Sequence, residues 1–217
     1  MPYDMWVGPR GPLGGMMKLE PPAFPEGTPP SWMAYVAVES VDDSAREASR
    51  LGGRVLHGPE DIPGVGRFAV VQDPQGAVFS LYRSTTAGWE PHRESLPGEF
   101  SWHELATTDP DAAWAFYSAL LGWTQSGSFD MGETGTYRLF GIEGRQLGGV
   151  YRSAPGQPPA AWLLYVRVPD VRAAIERVQA AGGKMLYGPI EVPGGDQVAV
   201  CLDPQGAAFA LHQVGAG

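Results

Sequence analysis

The second half of the chain alternates between apolar and polar positions in a way that predicts one helix among four strands. Residues 100–107 have the alternation and the residue types of a strand. Asp109 followed by Pro110 is typical of a helix start, and Gly122 predicts the helix end. The apolar positions at helical spacing are Ala113, Phe116, Tyr117 and Leu120. Three further short strands are predicted at 123–129, 136–142 and 146–152. Together these elements form a βαβββ unit.

The same order of elements recurs closer to the C-terminus. A strand is predicted over 162–168, a helix capped by Asp170 follows, and Gly182 and Gly183 end it. The remaining strands of this second unit are predicted at 184–186, 197–202 and 207–213. Asp-Pro-Gln-Gly at 203–206 has Pro and Gly where a hairpin turn favours them.

The chain also contains an internal repeat. Residues 32–83 shifted by 130 positions onto 162–213 give 21 identities in 52 positions without a gap. Many identities are turn residues, including the Asp-Pro-Gln-Gly tetrapeptide at 73–76 and 203–206. A second block, shifted by 134, places Tyr3 on Tyr137 and the Leu-Gly-Gly run at 13–15 on the run at 147–149.

The repeat predicts a domain organisation. Residues 99–136 have no counterpart, because their equivalent would lie before Met1. We therefore expect an incomplete first domain over 1–84 that lacks its front β-α-β, a linker over 85–98, and a complete second domain over 99–217. An incomplete domain exposes sheet edges and apolar faces, so we also expect either a homodimer that covers them or an upstream start codon.

Composition narrows the function classes. With 15 Lys and Arg against 24 Asp and Glu, the formal charge is −9, and there is no basic cluster for nucleic acid. The sequence has no apolar run of membrane-spanning length and no signal-peptide pattern, so we expect a cytoplasmic protein with no membrane partner. Cys201 is the only cysteine. It lies in an apolar strand, and we expect a buried, inert thiol.

Several motifs carry a family resemblance. The paired βαβββ units, Phe116-Tyr117 on the first helix, the Leu-Leu-Gly-Trp run at 120–123 and the Asp-Pro-Gln-Gly hairpin resemble the glyoxalase, bleomycin-resistance and extradiol-dioxygenase superfamily, also called vicinal oxygen chelate. The strand at 102–109 is similar to that of an actinobacterial type with two such domains in tandem, here with a truncated first domain. The resemblance implies an α+β fold of curled mixed sheets around a cup, with helices on the outer face.

The same resemblance allows a check for a metal site. Metal-dependent members carry His, Gln or Glu near the start of each unit's first strand and Glu seven residues after the hairpin Asp. The matching positions here are Met33, Trp102 and Leu163 on the first strands, and Ser80 and Ala210 on the last strands. These are not the imidazole, carboxylate or thiolate ligands that such an ion needs. If the alignment with the family were shifted by one residue, His103 would replace Trp102 at the ligand position of the first strand. The other metal ligands would still be absent. We therefore predict no metal and no cofactor.

Alternation along the strands predicts which side chains line the cup. The candidate ligand-binding residues are Tyr35, Tyr82, Trp102, Glu104, Tyr165, Arg167 and His212. Such a lining suits a small-molecule pocket, and it equally suits a sheet core filled by its own side chains. Glu104 and Arg167 carry charge on an inner face, so we expect them to pair with each other, reach solvent at the mouth, or face a ligand.

Two functions follow from these expectations. The first is a metal-free protein that binds an apolar or aromatic small molecule in the cup. The alternative is an enzyme of the same superfamily, a glyoxalase-like lyase or dioxygenase, working through a metal or through acid–base catalysis by Glu104 and His212. The spacing of the residues suggests no Ser-His-Asp arrangement.

Overall fold

A computed structural model describes residues 3–22, 24–85, 94–154 and 160–215. The chain divides into two compact units, and each contains segments from both halves of the internal repeat. Unit 1 comprises residues 1–32, 94–102 and 164–217, and unit 2 comprises residues 33–93 and 103–163. Most of the expected linker, residues 86–93, lies outside the described residues.

The helices and strands follow the predicted order. They are β1 (Tyr3–Gly8), β2 (Gly11–Met17), β3 (Tyr35–Ala37), α1 (Val41–Arg50), β4 (Arg54–Ile62), β5 (Gly66–Gln72), β6 (Val78–Ser84), β7 (Phe100–Thr107), α2 (Pro110–Leu121), β8 (Thr124–Asp130), β9 (Thr136–Ile142), β10 (Arg145–Arg152), β11 (Ala161–Arg167), α3 (Val171–Ala180), β12 (Lys184–Glu191), β13 (Gln197–Leu202) and β14 (Ala208–Gln213). The expected α+β fold of βαβββ units with mixed sheets is confirmed.

The described part of unit 2 contains two four-strand arrangements and the α-helices α1 and α2. The strand orders are β3-β6-β5-β4 and β7-β10-β9-β8, with β3 parallel to β6 and β7 parallel to β10. Helix α2 begins where Asp109 Oδ1 accepts hydrogen bonds from the N–H groups of Asp111 and Ala112, both at 3.2 Å. It ends at Gly122, whose φ of 68° is the left-handed conformation that glycine adopts without strain.

An aromatic cluster centred on α2 fills the core of unit 2. Tyr117 is fully buried and stacks against Trp123 with ring centroids 5.5 Å apart. Trp123 in turn stacks on Phe140 of β9 at 4.2 Å, and Trp162 of β11 meets Tyr117 edge-on at 5.4 Å. Large rings of this kind supply much of the apolar area that stabilises a domain.

Unit 1 contains β12, β13, β14 and the part of β11 from Leu164 onward, in the strand order β12-β13-β14-β11, with helix α3 and the separate hairpin β1-β2. Residues on alternate positions of β13 and β14, namely Ala199, Cys201 and Leu211, are buried with α3 residues. Their neighbours along each strand therefore lie on the opposite face. Among the residues that the structure describes, no helix is long and apolar enough to cross a membrane.

The repeated turn sequences adopt the same local structure. Asp73 Oδ1 accepts hydrogen bonds from the N–H groups of Gln75 and Ala77 at 2.9 and 2.8 Å. In the later copy, Asp203 Oδ1 accepts the equivalent bonds from the N–H groups of Gln205 and Ala207, both at 2.9 Å. An aspartate that accepts such bonds holds a turn in one conformation, which explains why these residues recur.

Candidate functional site

One face of the β7-β10-β9 sheet in unit 2 carries polar side chains among aromatic ones. Leu105, Phe140 and Val150 point to the core beneath α2, so the residues beside them in sequence lie on the other face. We call this the Glu104 face; its members are Glu104, Tyr137, Leu139, Gly149 and Tyr151. The strand register places Gly149 beside Glu104 on one side and beside Leu139 on the other.

A hydrogen bond fixes the carboxylate of this face. The Tyr137 hydroxyl donates to Glu104 Oε1 at 2.7 Å, a short bond of the kind made to charged acceptors. The Tyr137 ring stacks on that of Tyr151 with centroids 5.8 Å apart and planes 18° from parallel. Burial and, secondarily, the negative charge of Glu104 raise the pKa of Tyr151 to about 12, so its hydroxyl is neutral at physiological pH.

Gly149 lets Tyr137 lie close to the sheet. A Cβ added at Gly149 would lie 2.0 Å from Cζ of the Tyr137 ring, so this ring occupies the space of the missing side chain. The β1-β2 hairpin repeats the arrangement, because a Cβ at Gly15 would lie 2.2 Å from Cε1 of Tyr3. These two pairs are the ones that the sequence repeat aligns. An aromatic ring packed over a strand glycine restores contacts that the glycine lacks.

His103 belongs to the framework of this sheet. Its Nδ1 donates to the carbonyl oxygen of Leu147 at 3.0 Å, which ties β7 to β10. Burial lowers the pKa of His103, the bond to Leu147 offsets part of that effect, and the charge of Arg145 lowers the pKa further. The imidazole is therefore held neutral.

A second aromatic face in unit 2 carries two of the predicted residues. Tyr35 of β3 meets Tyr82 of β6 edge-on, with ring centroids 5.9 Å apart. Tyr35 is 45% exposed, and the Tyr82 hydroxyl donates to the carbonyl oxygen of Val65 at 3.2 Å. Phe79 and Leu81, which alternate with Tyr82 along β6, are buried in the core. The structure thus brings Tyr35 and Tyr82 together on the face that points away from the helices.

The other predicted ligand-binding residues lie in unit 1; they are Trp102, Tyr165, Arg167 and His212. Trp102 is half-buried, on the part of β7 that belongs to this unit. Tyr165, Arg167 and His212 share the face of β11 and β14 opposite α3, with Arg167 beside His212 in the register. Arg167 Nη1 donates to Glu94 Oε1 at 3.0 Å and also to the carbonyl oxygen of Ser95. Of the alternatives expected for Arg167, pairing with Glu104 is not the one that the structure shows. Glu94 supplies the partner instead. The spacing of residues along the sequence did not indicate this pair.

His212 is held through both ring nitrogens. Nε2 lies 2.8 Å from Asp196 Oδ2, and Nδ1 lies 2.8 Å from Ser101 Oγ. The Ser101 hydroxyl also lies 3.4 Å from the carbonyl oxygen of Tyr165. Spacing along the sequence suggests no such arrangement, because folding joins residues that lie far apart in the chain.

The positions that the resemblance assigns to metal ligands do not fit an ion. Leu163 and Ala210 have no donor atom, and Trp102 carries an indole N–H that donates only. Ser80 is fully buried, and its hydroxyl lies 3.6 Å from the Met33 sulfur. Among the described residues, no three His, Cys, Asp or Glu side chains come together as a metal site.

Two surface clefts in unit 2 lie apart from both aromatic faces. One, of about 160 Å³, is lined by residues of α2, β9 and β10 that include Asp111, Arg138 and Arg152. The other, of about 200 Å³, lies between α1 and β4 and is lined by residues that include Asp42 and Arg46. Both are smaller than the roughly 300–1,000 Å³ typical of small-molecule sites.

Sequence reasoning missed four residues at these sites. Tyr137 and Tyr151 on the Glu104 face, and Ser101 and Asp196 beside His212, were not among the candidates. A signal existed for Tyr137, since the repeat aligns it with Tyr3 and aligns Gly149 with Gly15. No comparable signal marked Ser101 or Asp196.

Paired βαβββ units with mixed sheets define the class of protein, and comparisons with known proteins identify the family. The model of the Glyoxalase/Bleomycin resistance protein/Dioxygenase superfamily matches residues 99–211. The chain belongs to this superfamily. It is 34% identical over 197 residues to CFP32 of Mycobacterium tuberculosis, whose name provisionally describes it as a glyoxylase. That alignment covers 88% of this chain and 72% of CFP32.

Other relatives differ in their named roles. The anthracycline biosynthesis protein DauV of Streptomyces sp. strain C5 is 32% identical over 191 residues, covering 87% of this chain and 67% of DauV. Among solved structures, 2,2',3-trihydroxybiphenyl 1,2-dioxygenase from Sphingomonas wittichii strain RW1 has a TM-score of 0.64 at 14% identity, covering 98% of this chain and 81% of the dioxygenase. The Mn(II)-bound glyoxalase from Novosphingobium aromaticivorans has a TM-score of 0.57 at 17% identity, covering 82% and 61%. At these identities the likeness concerns the fold alone.

Proposed function

We propose that the protein binds a planar aromatic small molecule without a metal ion, and that the Glu104 face contacts this ligand. The observation that carries the proposal is the stacked pair Tyr137 and Tyr151 beside a carboxylate that the Tyr137 hydroxyl holds in place. Stacked rings offer a flat surface to an aromatic ligand, and Glu104 offers an acceptor that fixes its orientation.

The chemistry of this face favours a ligand with a hydrogen-bond donor or a positive charge. Glu104 Oε1 accepts from Tyr137, and an ionised carboxylate attracts hydrogen-bond donors and positive charge. A polycyclic aromatic molecule with an amino group satisfies both the rings and the carboxylate. The relative DauV is named for anthracycline biosynthesis, and anthracyclines have this chemistry, which supports the choice of a test ligand.

Isothermal titration calorimetry with doxorubicin, a planar anthracycline with an amino sugar, tests the proposal. We expect saturable binding that weakens at least about tenfold in Tyr151→Ala, since loss of one stacking ring removes about 1.4 kcal/mol or more. Glu104→Gln should weaken binding of the cation and leave binding of an uncharged anthraquinone unchanged. Tyr187→Ala, which removes an exposed tyrosine of β12 in unit 1, is the matched control. Equal binding by all these variants would exclude the Glu104 face.

Elemental analysis of the purified protein tests the metal-free part of the proposal. We expect less than about one tenth of an equivalent of zinc, nickel, iron or manganese, because the ligand positions hold apolar or weak donor groups. Stoichiometric metal that only a chelator removes would contradict this and favour a metal-dependent enzyme.

The alternative, an acid–base enzyme, has one observation in its favour, the carboxylate of Glu104 on the same face as the stacked rings. Chromatography of the doxorubicin after prolonged incubation separates the two functions. Recovery of the unchanged compound supports a binding protein, and conversion that is lost in Glu104→Gln supports the enzyme.

A further inference from the structure

Three side chains of unit 1 form a continuous hydrogen-bond chain. Ser101 Oγ lies 2.8 Å from His212 Nδ1, and His212 Nε2 lies 2.8 Å from Asp196 Oδ2. The N–H of Gly215 donates to Asp196 Oδ1 at 2.8 Å, so the second carboxylate oxygen is also held in place. Ser101 is on β7, His212 is on β14, and Asp196 directly precedes β13.

The partners of His212 determine where its proton lies. An ionised carboxylate only accepts hydrogen bonds, so Nε2, which faces Asp196, carries the proton. Nδ1 of the neutral ring then has a free lone pair, and the Ser101 hydroxyl donates to it. The other acceptor near Ser101, the carbonyl oxygen of Tyr165, is farther away at 3.4 Å. The serine proton therefore points at a base that a carboxylate orients.

The electrostatics keep Asp196 ionised. Burial by itself would raise the pKa of Asp196, but hydrogen bonds from the Gly215 N–H and from His212, together with the positive charge of Arg167, outweigh it, and the pKa is lowered. An ionised Asp196 stabilises the imidazolium that forms when His212 accepts a proton. Arg167 lies beside His212 on the same face and brings a positive charge to this part of the sheet.

We propose that Ser101, His212 and Asp196 form a nucleophilic site for a small carboxylic ester, independent of the ligand bound by the Glu104 face. A nucleophile, a base and a group that orients the base, each within hydrogen-bond reach of the next, are the arrangement that activates a serine. The order of the ring nitrogens is reversed relative to the familiar serine hydrolases, but either nitrogen serves as the base once the other is bonded to a carboxylate.

The reaction balances without a cofactor. Ser101 Oγ bonds to the ester carbonyl carbon while its proton moves to His212 Nδ1, and Asp196 stabilises the resulting imidazolium. The bond from the carbonyl carbon to the alcohol oxygen then breaks, and the alcohol takes the proton from Nδ1. Water attacks the acyl-serine by the same route, which releases the carboxylic acid and restores the Ser101 hydroxyl.

A fluorophosphonate reagent, which reacts covalently with activated serines, tests the site in the full-length protein. We expect one equivalent of label, located at Ser101 by peptide mass spectrometry, and a stoichiometric burst of p-nitrophenol from p-nitrophenyl acetate. His212→Gln should slow labelling at least about 100-fold, as expected for loss of a general base. Asp196→Asn should slow it at least about tenfold.

Ser153→Ala, a substitution in unit 2, is the matched serine control and should label like the wild type. Circular dichroism and thermal unfolding establish that each variant is folded. The wild-type experiment does not depend on the variants, so absence of label at Ser101 in folded wild-type protein would overturn the proposal. Label at other serines only, or an unchanged rate in folded His212→Gln, would also overturn it.

Discussion

The hydroxyl of Tyr117 donates to Oδ2 of Asp73 at 3.0 Å, which joins helix α2 to the Asp-Pro-Gln-Gly turn between β5 and β6. The indole N–H of Trp162 donates to the same hydroxyl at 3.1 Å. Burial, followed by the charge of Asp73, raises the pKa of Tyr117 well above its ordinary value, so this hydroxyl stays neutral and can donate. Asp73 is 3% exposed, whereas its repeat counterpart Asp203 is half-buried, so the same turn has become part of a core in one copy.

Loss of this hydroxyl should destabilise the protein. Tyr117→Phe leaves Asp73 with its backbone partners but removes one bond to a buried carboxylate. We expect the free energy of unfolding, measured with urea, to fall by about 1.5–3 kcal/mol. Tyr82→Phe is the control, because the Tyr82 hydroxyl donates to the exposed carbonyl oxygen of Val65. Its loss should lower the free energy of unfolding by less than about 0.5 kcal/mol. Similar effects in the two variants would contradict the prediction.

The cost of Tyr117→Phe should depend on pH. Burial raises the pKa of Asp73 above its ordinary value of 3.8, and bonds from Ala77, Tyr117 and Gln75 offset part of that rise. The Tyr117 bond favours the ionised carboxylate, so its contribution is full at neutral pH and declines as the pH falls through the raised pKa. Urea unfolding should therefore show the largest difference near about pH 7 and a smaller one near about pH 4. A difference that grows on acidification would contradict this assignment.

The two glycine–tyrosine pairs should respond differently to a methyl group. Gly149→Ala forces the Tyr137 ring away from the sheet and breaks its bond to Glu104, and we expect a loss of about 1–3 kcal/mol in the free energy of unfolding. Gly15→Ala displaces Tyr3, which is 48% exposed and can turn into solvent, so the loss should be less than about 1 kcal/mol. Denaturant titration of both variants checks the order, and a larger loss in Gly15→Ala would contradict it.

Cys201 should be unreactive in the folded protein. The residue is fully buried on β13, and burial raises the pKa of its thiol. Ellman's reagent should titrate less than about one tenth of a thiol in native buffer and one thiol in strong denaturant. Rapid reaction of the native protein would show that the core beneath α3 is more open than the structure indicates.

Much of the fold could be predicted from the sequence because its signals are local. The strand at 100–107 and the strand at 197–202 have the predicted bounds, and α2 begins after its Asp109 cap and ends at Gly122. The strand near 184–186 is longer than predicted and continues to Glu191, because β12 pairs with β13 across two register irregularities. Pairing of this kind depends on the neighbouring strand and leaves little trace in local residue preference.

The candidate sites were less predictable because they depend on contacts between distant residues. Alternation placed Glu104 on the face opposite the helix core, but it did not identify Tyr137 as the donor to its carboxylate. Arg167 has Glu94 as a partner, whereas the inner-face pattern offered Glu104, solvent or a ligand. Hydrogen-bond partners across strands depend on register and on side-chain direction.

The sequence by itself determined the order of elements, the repeated turns and the superfamily, since spacing, caps and turn residues act over a few positions of the chain. Only the tertiary structure decided that Asp73 is buried beneath Tyr117 while Asp203 is half-buried, and that Ser101, His212 and Asp196 meet. The physical reason is that burial and side-chain hydrogen bonding depend on which strands and helices pack together, and a local pattern does not specify those long-range contacts.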